Sequence, residues 1–371
     1  MIYGIDVNAL TRPNRTGVER YVYELITEMM KAPLMEGERV FLYASAKVDE
    51  LGVLPAGWEW RIIKLPILTK GWTHLRLSYE LLATKPDVFF SPAHEIPLFA
   101  GRIKIVNTIH DIAFVHVPKV YTFFNRMRQR WAVARSVKKS DKILTVSETT
   151  RDDLGKFYQV QVDRMIVTRL GIRPEDFRVR DEQIDQTLKK YNLKAQNYLI
   201  TVGRVEKKKG ISFLIDVFEK FRQYHPDSDL NLVLAGKMGN GQEDIINNIE
   251  SSKFKDQIHV LGFVPEEDLA PLMIGSLAYV FPSTYEGFGI PALEAMAAGT
   301  PVIASDIPAL REVCGDAAII RSTNSVDDWV EAIGQMQNSE LRSQLVQKGT
   351  QRSRMFNWSD TAQKTWEVSR G

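Results

Sequence analysis

Short apolar runs alternate with amphipathic stretches along the whole chain. In the first half, runs at 3–7, 40–43, 61–65, 88–90, 103–109 and 142–146 predict strands. Val18, Tyr21, Val22, Leu25, Ile26 and Met29 recur at helical spacing, and further helices fit 72–83, 119–139 and 148–158. The second half repeats the rhythm, with strands at 198–202, 230–234, 258–261, 277–281 and 301–304 and helices between them. Strands spaced by helices imply βαβ units and parallel sheets. Two such series imply two doubly wound α/β domains, and 371 residues exceed the roughly 250–300 that one core supports. The polar segment near 171–196 marks the join, giving domains at 1–172 and 173–356. A last helix at 357–371 either closes the second domain or crosses back to the first. In open α/β sheets, ligands bind beyond the carboxyl ends of strands, so the loops there carry the search for chemistry.

The most informative stretch follows the strand at 277–281. A loop holding Glu286, Gly287, Phe288 and Gly289 leads through Ile290 to Pro291, where a helix is expected to begin, and the helix stops at Gly299-Thr300-Pro301. A helix N-terminus after a glycine-rich loop favours an anion, and Gly287 and Gly289 permit close backbone approach. Two carboxylates beside such a site suit hydroxyls better than phosphate. Glu294 is expected in the first helical turn, where it could hold a ribose diol, or could serve only as an N-terminal helix charge of about 0.3–1 kcal/mol. Glu286 could meet a second polyol group.

The loop after 198–202 contains Gly203, Arg204, Lys209 and Gly210 ahead of a helix. Guanidinium, ammonium and backbone donors together could clamp a diphosphate, while Lys207 and Lys208 read as solvated. The glycine spacing is not that of a P-loop. Gly236-Lys237 and Gly262-Phe263-Val264 follow the next two strands, where they could hold a nucleobase edge or simply connect elements. In the first half, Gly17 precedes a helix and His110 ends the strand 103–109, with His94-Glu95 in a similar place. A histidine at a strand end suits polar contact or proton transfer as well as a structural role.

Composition changes this picture little. The single Cys314 excludes an intramolecular disulfide and any multi-cysteine metal cluster, and implies a reducing cytoplasm. No apolar run approaches the ~18 residues of a membrane span, and the N-terminus reads as a strand rather than a signal peptide. The net charge of +2 hides an asymmetry: residues 1–172 carry 25 Lys+Arg against 18 Asp+Glu, a balance of +7, and the remainder carries −5. Residues 112–140 hold no acid at all, and bases there interleave with aromatics. That pattern over 119–139 suits an anionic membrane surface, and equally a helix with its aromatic face inward and its basic face outward. Nucleic acid is the rival partner and is not expected.

Taken in order, Thr16-Gly17-Val18-Glu19-Arg20, His110-Asp111, Val146-Ser147-Glu148, Gly203-Arg204 with Lys209-Gly210, Gly236-Lys237, Gly262-Phe263-Val264, and Glu286 and Glu294 inside Glu-Gly-Phe-Gly-Ile-Pro-Ala-Leu-Glu-Ala resemble retaining GT-B glycosyltransferases of family 4. The resemblance implies two Rossmann-like domains facing a cleft, an N-terminal acceptor domain, a C-terminal nucleotide-sugar domain and a last helix that crosses back. It implies transfer with retention, no cofactor and no essential metal. By analogy Glu294 holds the ribose, and Glu286 with the 288–289 backbone holds sugar and phosphate. His110 contacts the donor sugar, and Gly17 lies near the phosphates or acceptor. The pattern is similar to mannosyltransferases of bacterial O-antigen, with GDP-mannose as donor and a lipid-linked or polysaccharide acceptor at the inner face of the plasma membrane. Rhamnosyl- and glucosyltransferases using dTDP- or UDP-sugars share it, and a non-catalytic sugar-nucleotide-binding protein is the alternative of another class. An NAD-linked enzyme is disfavoured, because no Gly-x-Gly-x-x-Gly follows the first strand.

Overall fold

The computed structural model describes residues 1–12, 17–63 and 72–371. Thr16, and the Lys64-Leu65 end of the strand expected at 61–65, lie outside them. The chain divides into two compact units. Unit 1 comprises Met1–Phe114, Thr122–Gly171 and Asn357–Gly371, and unit 2 comprises Val115–Tyr121 and Ile172–Phe356. The short segment Val115–Tyr121 therefore departs from a division at 172.

Unit 1 is built on a parallel sheet of β1 (Ile2–Asp6), β2 (Arg39–Ala44), β3 (Trp58–Ile62), β4 (Val88–Ser91), β5 (Lys104–Ile109), β6 (Lys142–Thr145) and β7 (Met165–Val167), in the order β3-β2-β1-β4-β5-β6-β7. Its helices are α1 (Gly17–Met29), α2 (Leu77–Thr84), α4 (Phe123–Lys139) and α5 (Glu148–Tyr158), after a short α3 (Ala113–His116) that ends in unit 2. β3 begins at Trp58, earlier than the apolar run at 61–65 suggests, because Trp58 to Ile62 pair with Val40 to Ala44. The helix expected from 119 starts at Phe123. Thr122 caps it by accepting the Asn125 N–H, and Pro118–Val120 forms a separate 3-10 turn.

Unit 2 has a sheet of β8 (Tyr198–Val202), β9 (Asn231–Ala235), β10 (Ile258–Gly262), β11 (Ala278–Phe281), β12 (Val302–Ser305) and β13 (Ile319–Arg321), in the order β10-β9-β8-β11-β12-β13. Helices α6 (Asp181–Lys190), α7 (Ile211–Tyr224), α8 (Gln242–Ser251), α9 (Glu266–Gly275), α10 (Ile290–Ala297), α11 (Pro308–Cys314), α12 (Val326–Gln335) and α13 (Ser339–Ser353) surround it. Alternate strand residues feed two cores. Leu199, Leu232, Leu234, Ala278, Val280 and Ile303 face one side, with α7 and α12. Tyr198, Ile200, Val233, Tyr279, Phe281 and Val302 face the other, with α10 and α11. Burial on both faces is why these strands read as continuous apolar runs. In both sheets the strand order reverses at the first strand of the series, β1 or β8. Ligand-binding crevices form at such switch points.

The last helix, α14 (Trp358–Arg370), counts with unit 1. Asn357 caps it by accepting the Asp360 N–H at 2.8 Å. Its Trp366 is buried, donates to the Met29 carbonyl at 3.2 Å and meets Tyr3 edge-on. Among the described residues no helix is long and apolar enough to cross a membrane.

Candidate active site

The chemistry-bearing loops of unit 2 converge at the carboxyl ends of β8, β9 and β11. The loop after β8 is stitched to the loop after β9: Gly203 N–H donates to Ala235, Val205 to Lys237, and Gly239 returns to Val205 at 2.9 Å. The fit there is close. A Cβ built on Gly236 would lie 1.7 Å from the Gly203 carbonyl oxygen, so only glycine serves. The same β8 loop is also stitched to the loop after β11. Thr284 N–H and hydroxyl both donate to the Lys208 carbonyl, at 2.9 and 3.0 Å. Gly210, left-handed at φ +68, lies against the Pro282 carbonyl, 2.1 Å from where a Cβ would stand. Two segments about eighty residues apart thus form one site wall.

α7 starts on Gly210 and α10 on Gly289, and neither is capped by a side chain. Helix starts of that kind present backbone N–H groups and positive dipole ends to an anion. Lys209, just before α7, reaches Glu286, with Nζ 2.7 Å from Oε1. Its ammonium also lies over the Phe281 ring, 4.9 Å from the centroid. Ser283 Oγ donates to the same carboxylate oxygen. Burial alone would push the Glu286 carboxyl up. The charges of Lys209 and Lys208 and the bonds from Lys209 and Ser283 outweigh it and hold the group below its ordinary value. Lys209 and Glu286 are therefore ion-pair partners, a pairing that their separate motifs do not suggest. Lys207 is not simply solvated either, since it forms an ion pair with Asp244. Arg204 is exposed beside Gly239.

Glu294 is buried, but one turn inside α10 rather than in its first turn, because the helix begins at Ile290. Sequence reasoning passed over Tyr279, which is buried in β11. Its hydroxyl donates to the Val202 carbonyl at 3.3 Å, and burial, then Glu294 and Glu286, push its pKa far up. Both carboxylates thus bear on one neutral, buried phenol. Phe288 is buried against Phe356, and Val264 is buried after β10. Phe263 is exposed under the Lys237 ammonium, 4.8 Å from its centroid. Ser283 had a legible signal, a serine three residues before Glu286; Tyr279 had none beyond its place in a strand.

In unit 1, His110 follows the carboxyl end of β5 and its Nε2 lies 2.8 Å from the Pro92 carbonyl, which can only accept. The ring is thus an Nε2–H tautomer with Nδ1 as acceptor. Burial and the neighbouring His94 bring its pKa down to about 4, so it is neutral at pH 7. His94, 5.3 Å away between centroids, is likewise lowered by burial. The Tyr21 ring of α1 packs edge-on to His110 at 4.6 Å. Gly17 opens α1, and a Cβ there would meet nothing within 4 Å. Arg12 pairs with the buried Glu19 at 2.7 Å. Among the described residues no group of three or more His, Cys, Asp or Glu is placed to hold a metal ion.

The profile for Glycosyltransferase Family 4 matches residues 15–176, and that for Glycosyl transferases group 1 matches residues 183–352. The chain belongs to the GT-B glycosyltransferases. The glycosyltransferase is 28% identical to O-antigen chain mannosyltransferase B of Escherichia coli over 367 residues, 94% of each chain. It is 30% identical to the O-antigen chain mannosyltransferase RfbU of Salmonella typhimurium over 240 residues, 65% of this chain and 62% of that one. Among solved structures, WaaG, a glycosyltransferase of lipopolysaccharide biosynthesis, superposes with a TM-score of 0.75 at 17% identity, covering 100% of both chains. Anabaena HepE in complex with UDP and glucose gives a TM-score of 0.76 at 16% identity, covering 99% of both chains. These two likenesses carry the fold: two parallel-sheet Rossmann-like domains of the GT-B type.

Proposed function

We propose that this glycosyltransferase moves mannose from GDP-mannose, with retention of anomeric configuration, to a lipid-linked or polysaccharide acceptor at the inner face of the plasma membrane. The observation that carries the reading is the Lys209–Glu286 pair, which joins the loops ahead of two glycine-capped helix starts. Arg204, Lys209 and the backbone N–H groups of α7 and α10 supply the positive charge on which a departing diphosphate can settle, a role that elsewhere falls to Mg²⁺. Glu294 takes the ribose diol, and Glu286 with the Phe288-Gly289 backbone takes sugar hydroxyls and phosphate. The Gly236 and Phe263-Val264 turns receive the base. The neutral imidazole of His110 and the open backbone at Gly17 serve sugar hydroxyls in unit 1. The departing phosphate oxygen helps to deprotonate the acceptor hydroxyl, so no separate side-chain base is required. Mannose is favoured by the O-antigen mannosyltransferases among the relatives.

The test is a thermal-shift panel of GDP-mannose, UDP-glucose and dTDP-rhamnose, followed by transfer assays in EDTA. GDP-mannose alone is expected to raise the melting temperature, since only a bound ligand stabilises the native state. Arg204→Ala and Glu294→Gln are expected to lose about 100-fold or more in turnover while melting as the parent does. A shift by UDP- or dTDP-sugars instead would replace the donor. Donor binding without turnover would replace the enzyme with a binding protein. Strict dependence on added Mg²⁺ would remove the metal-free account.

A further inference from the structure

α4 has an unusual division of faces. Only Ala132, Val133, Ser136 and Val137 are buried, all in its second half. Its aromatic residues point outward: Phe123 is 63% exposed, Phe124 83% and Trp131 50%, with Met127 beside them. Spacings of three, four and eight residues place these side chains on one stripe. A helix that hides its aromatics and shows only its bases, one of the two expectations from sequence, is not what forms. Arg128, Arg130, Lys138 and Lys139 are exposed on the same helix, and among the described residues Arg128 alone of these pairs with an acid, Glu95.

The stripe continues onto neighbouring elements. The Trp131 ring meets His74 edge-on at 5.6 Å, in the helical turn that leads into α2. On α2, Tyr79 is 68% exposed and Leu82 is exposed as well. Phe99, 61% exposed, is pinned there by its N–H to Ser78 Oγ at 3.0 Å. Arg135 fastens α4 to this loop through the Pro97 carbonyl at 2.6 Å. Apolar side chains of three segments therefore form one exposed ridge bordered by cations. Monomeric soluble surfaces rarely carry such a ridge without a partner.

We propose that this ridge docks unit 1 on an anionic lipid bilayer, with Phe123, Phe124 and Trp131 entering the interface and the α4 bases meeting the headgroups. The inference rests on the reading of the acceptor as lipid-linked. Three features choose this occupant. Aromatic and aliphatic residues lie together, as an interface between headgroup and acyl chain requires. The charges that α4 itself carries are all positive, complementary to anionic lipid. Met127 and Leu82, which a stacked nucleobase would not use, add aliphatic surface that acyl chains would. A second copy on this face would set its own bases against these, a costly arrangement.

The full chain is to be co-sedimented with phosphatidylcholine vesicles with and without phosphatidylglycerol, over a salt series. Binding is expected only with phosphatidylglycerol and is expected to weaken as salt rises. The double variant Phe124→Ser/Trp131→Ser and the double variant Arg130→Gln/Lys138→Gln should each bind about tenfold or more weakly. Their melting temperatures and nucleotide-sugar thermal shifts should stay at the parent values. Indifference to lipid charge, or parent-like binding by the apolar variant, would overturn the proposal. So would competition by single-stranded RNA, or a dimer in light scattering that Phe124→Ser dissolves. Vesicle binding with no response to any nucleotide sugar would leave the surface standing and remove the transfer reading; the converse result would do the reverse.

Discussion

Side-chain exposure is only 15% at Lys209 and 10% at Glu286, so neither charge can rely on water. Breaking a buried pair leaves one uncompensated charge, which typically costs about 3–5 kcal/mol. Lys209→Met keeps most of the aliphatic stem and removes the ammonium that lies over Phe281. At pH 7 it should destabilise the protein by about 3 kcal/mol, read from the urea midpoint. The sign of the pH dependence follows from the direction of the shift. A carboxyl held below its ordinary value stabilises the native state above that value, and the contribution is lost as pH falls through the native value. In Lys209→Met the Glu286 carboxyl should rise instead, because burial is then opposed only by the Lys208 charge and the Ser283 bond. The penalty of the variant should accordingly shrink as pH falls from the raised value of the variant towards the lowered value of the parent, because a protonated Glu286 needs no cation. An equal penalty at pH 7 and pH 4 would assign the cost to packing. Under the proposed function, a donor phosphate would have to compete with Glu286 for the Lys209 ammonium, while Arg204 stands exposed.

At the scale of elements, the wall of the site depends on backbone approach more than on side chains. Gly210 is both the left-handed cap of α7 and the residue against Pro282. Gly210→Ala adds strain in φ and a Cβ 2.1 Å from a carbonyl oxygen, so the loops after β8 and β11 must part. We expect a loss of about 2 kcal/mol or more in stability and of donor binding by calorimetry, the second larger than stability alone explains. Unchanged donor affinity would show that the two loops act separately. The same elements show what was legible in the sequence. Strands buried on both faces declare themselves as apolar runs, so β8, β9 and β11 stand where the pattern puts them. β7 and β13 have three residues each, too few for any pattern. Glu294 was expected in the first turn because Pro291 marks a helix start, but proline is also at home one position further in. The pairing of Lys209 with Glu286 was not legible, since periodicity carries no information about which loops meet. The outward turn of Phe124 and Trp131 was equally closed to it, because aromatic spacing on a helix is the same whichever face is buried.

At the scale of the whole molecule, the two units hold separate cores, and the chain closes unit 1 with its final helix. Trp366 of α14 lies among Tyr3, Trp58 and the Met29 carbonyl, and Arg370 pairs with Glu38 at 2.7 Å. A large aromatic removed from such a place costs about 3–5 kcal/mol. Units with their own cores can unfold in separate transitions, and a single melting temperature then has no clear meaning. Scanning calorimetry should therefore resolve two events. Trp366→Ala should lower the one belonging to unit 1 and leave the other in place, although the substitution lies five residues from the C-terminus and far in sequence from the β1–α1 region it supports. A nucleotide-sugar donor should raise the event belonging to unit 2, whose loops hold Lys209, Glu286 and Glu294. Adding the donor to Trp366→Ala should then widen the gap between the two events rather than restore the lower one. If the variant and the donor instead moved one common transition, the molecule would be a single cooperative unit, and the last helix would stabilise both halves.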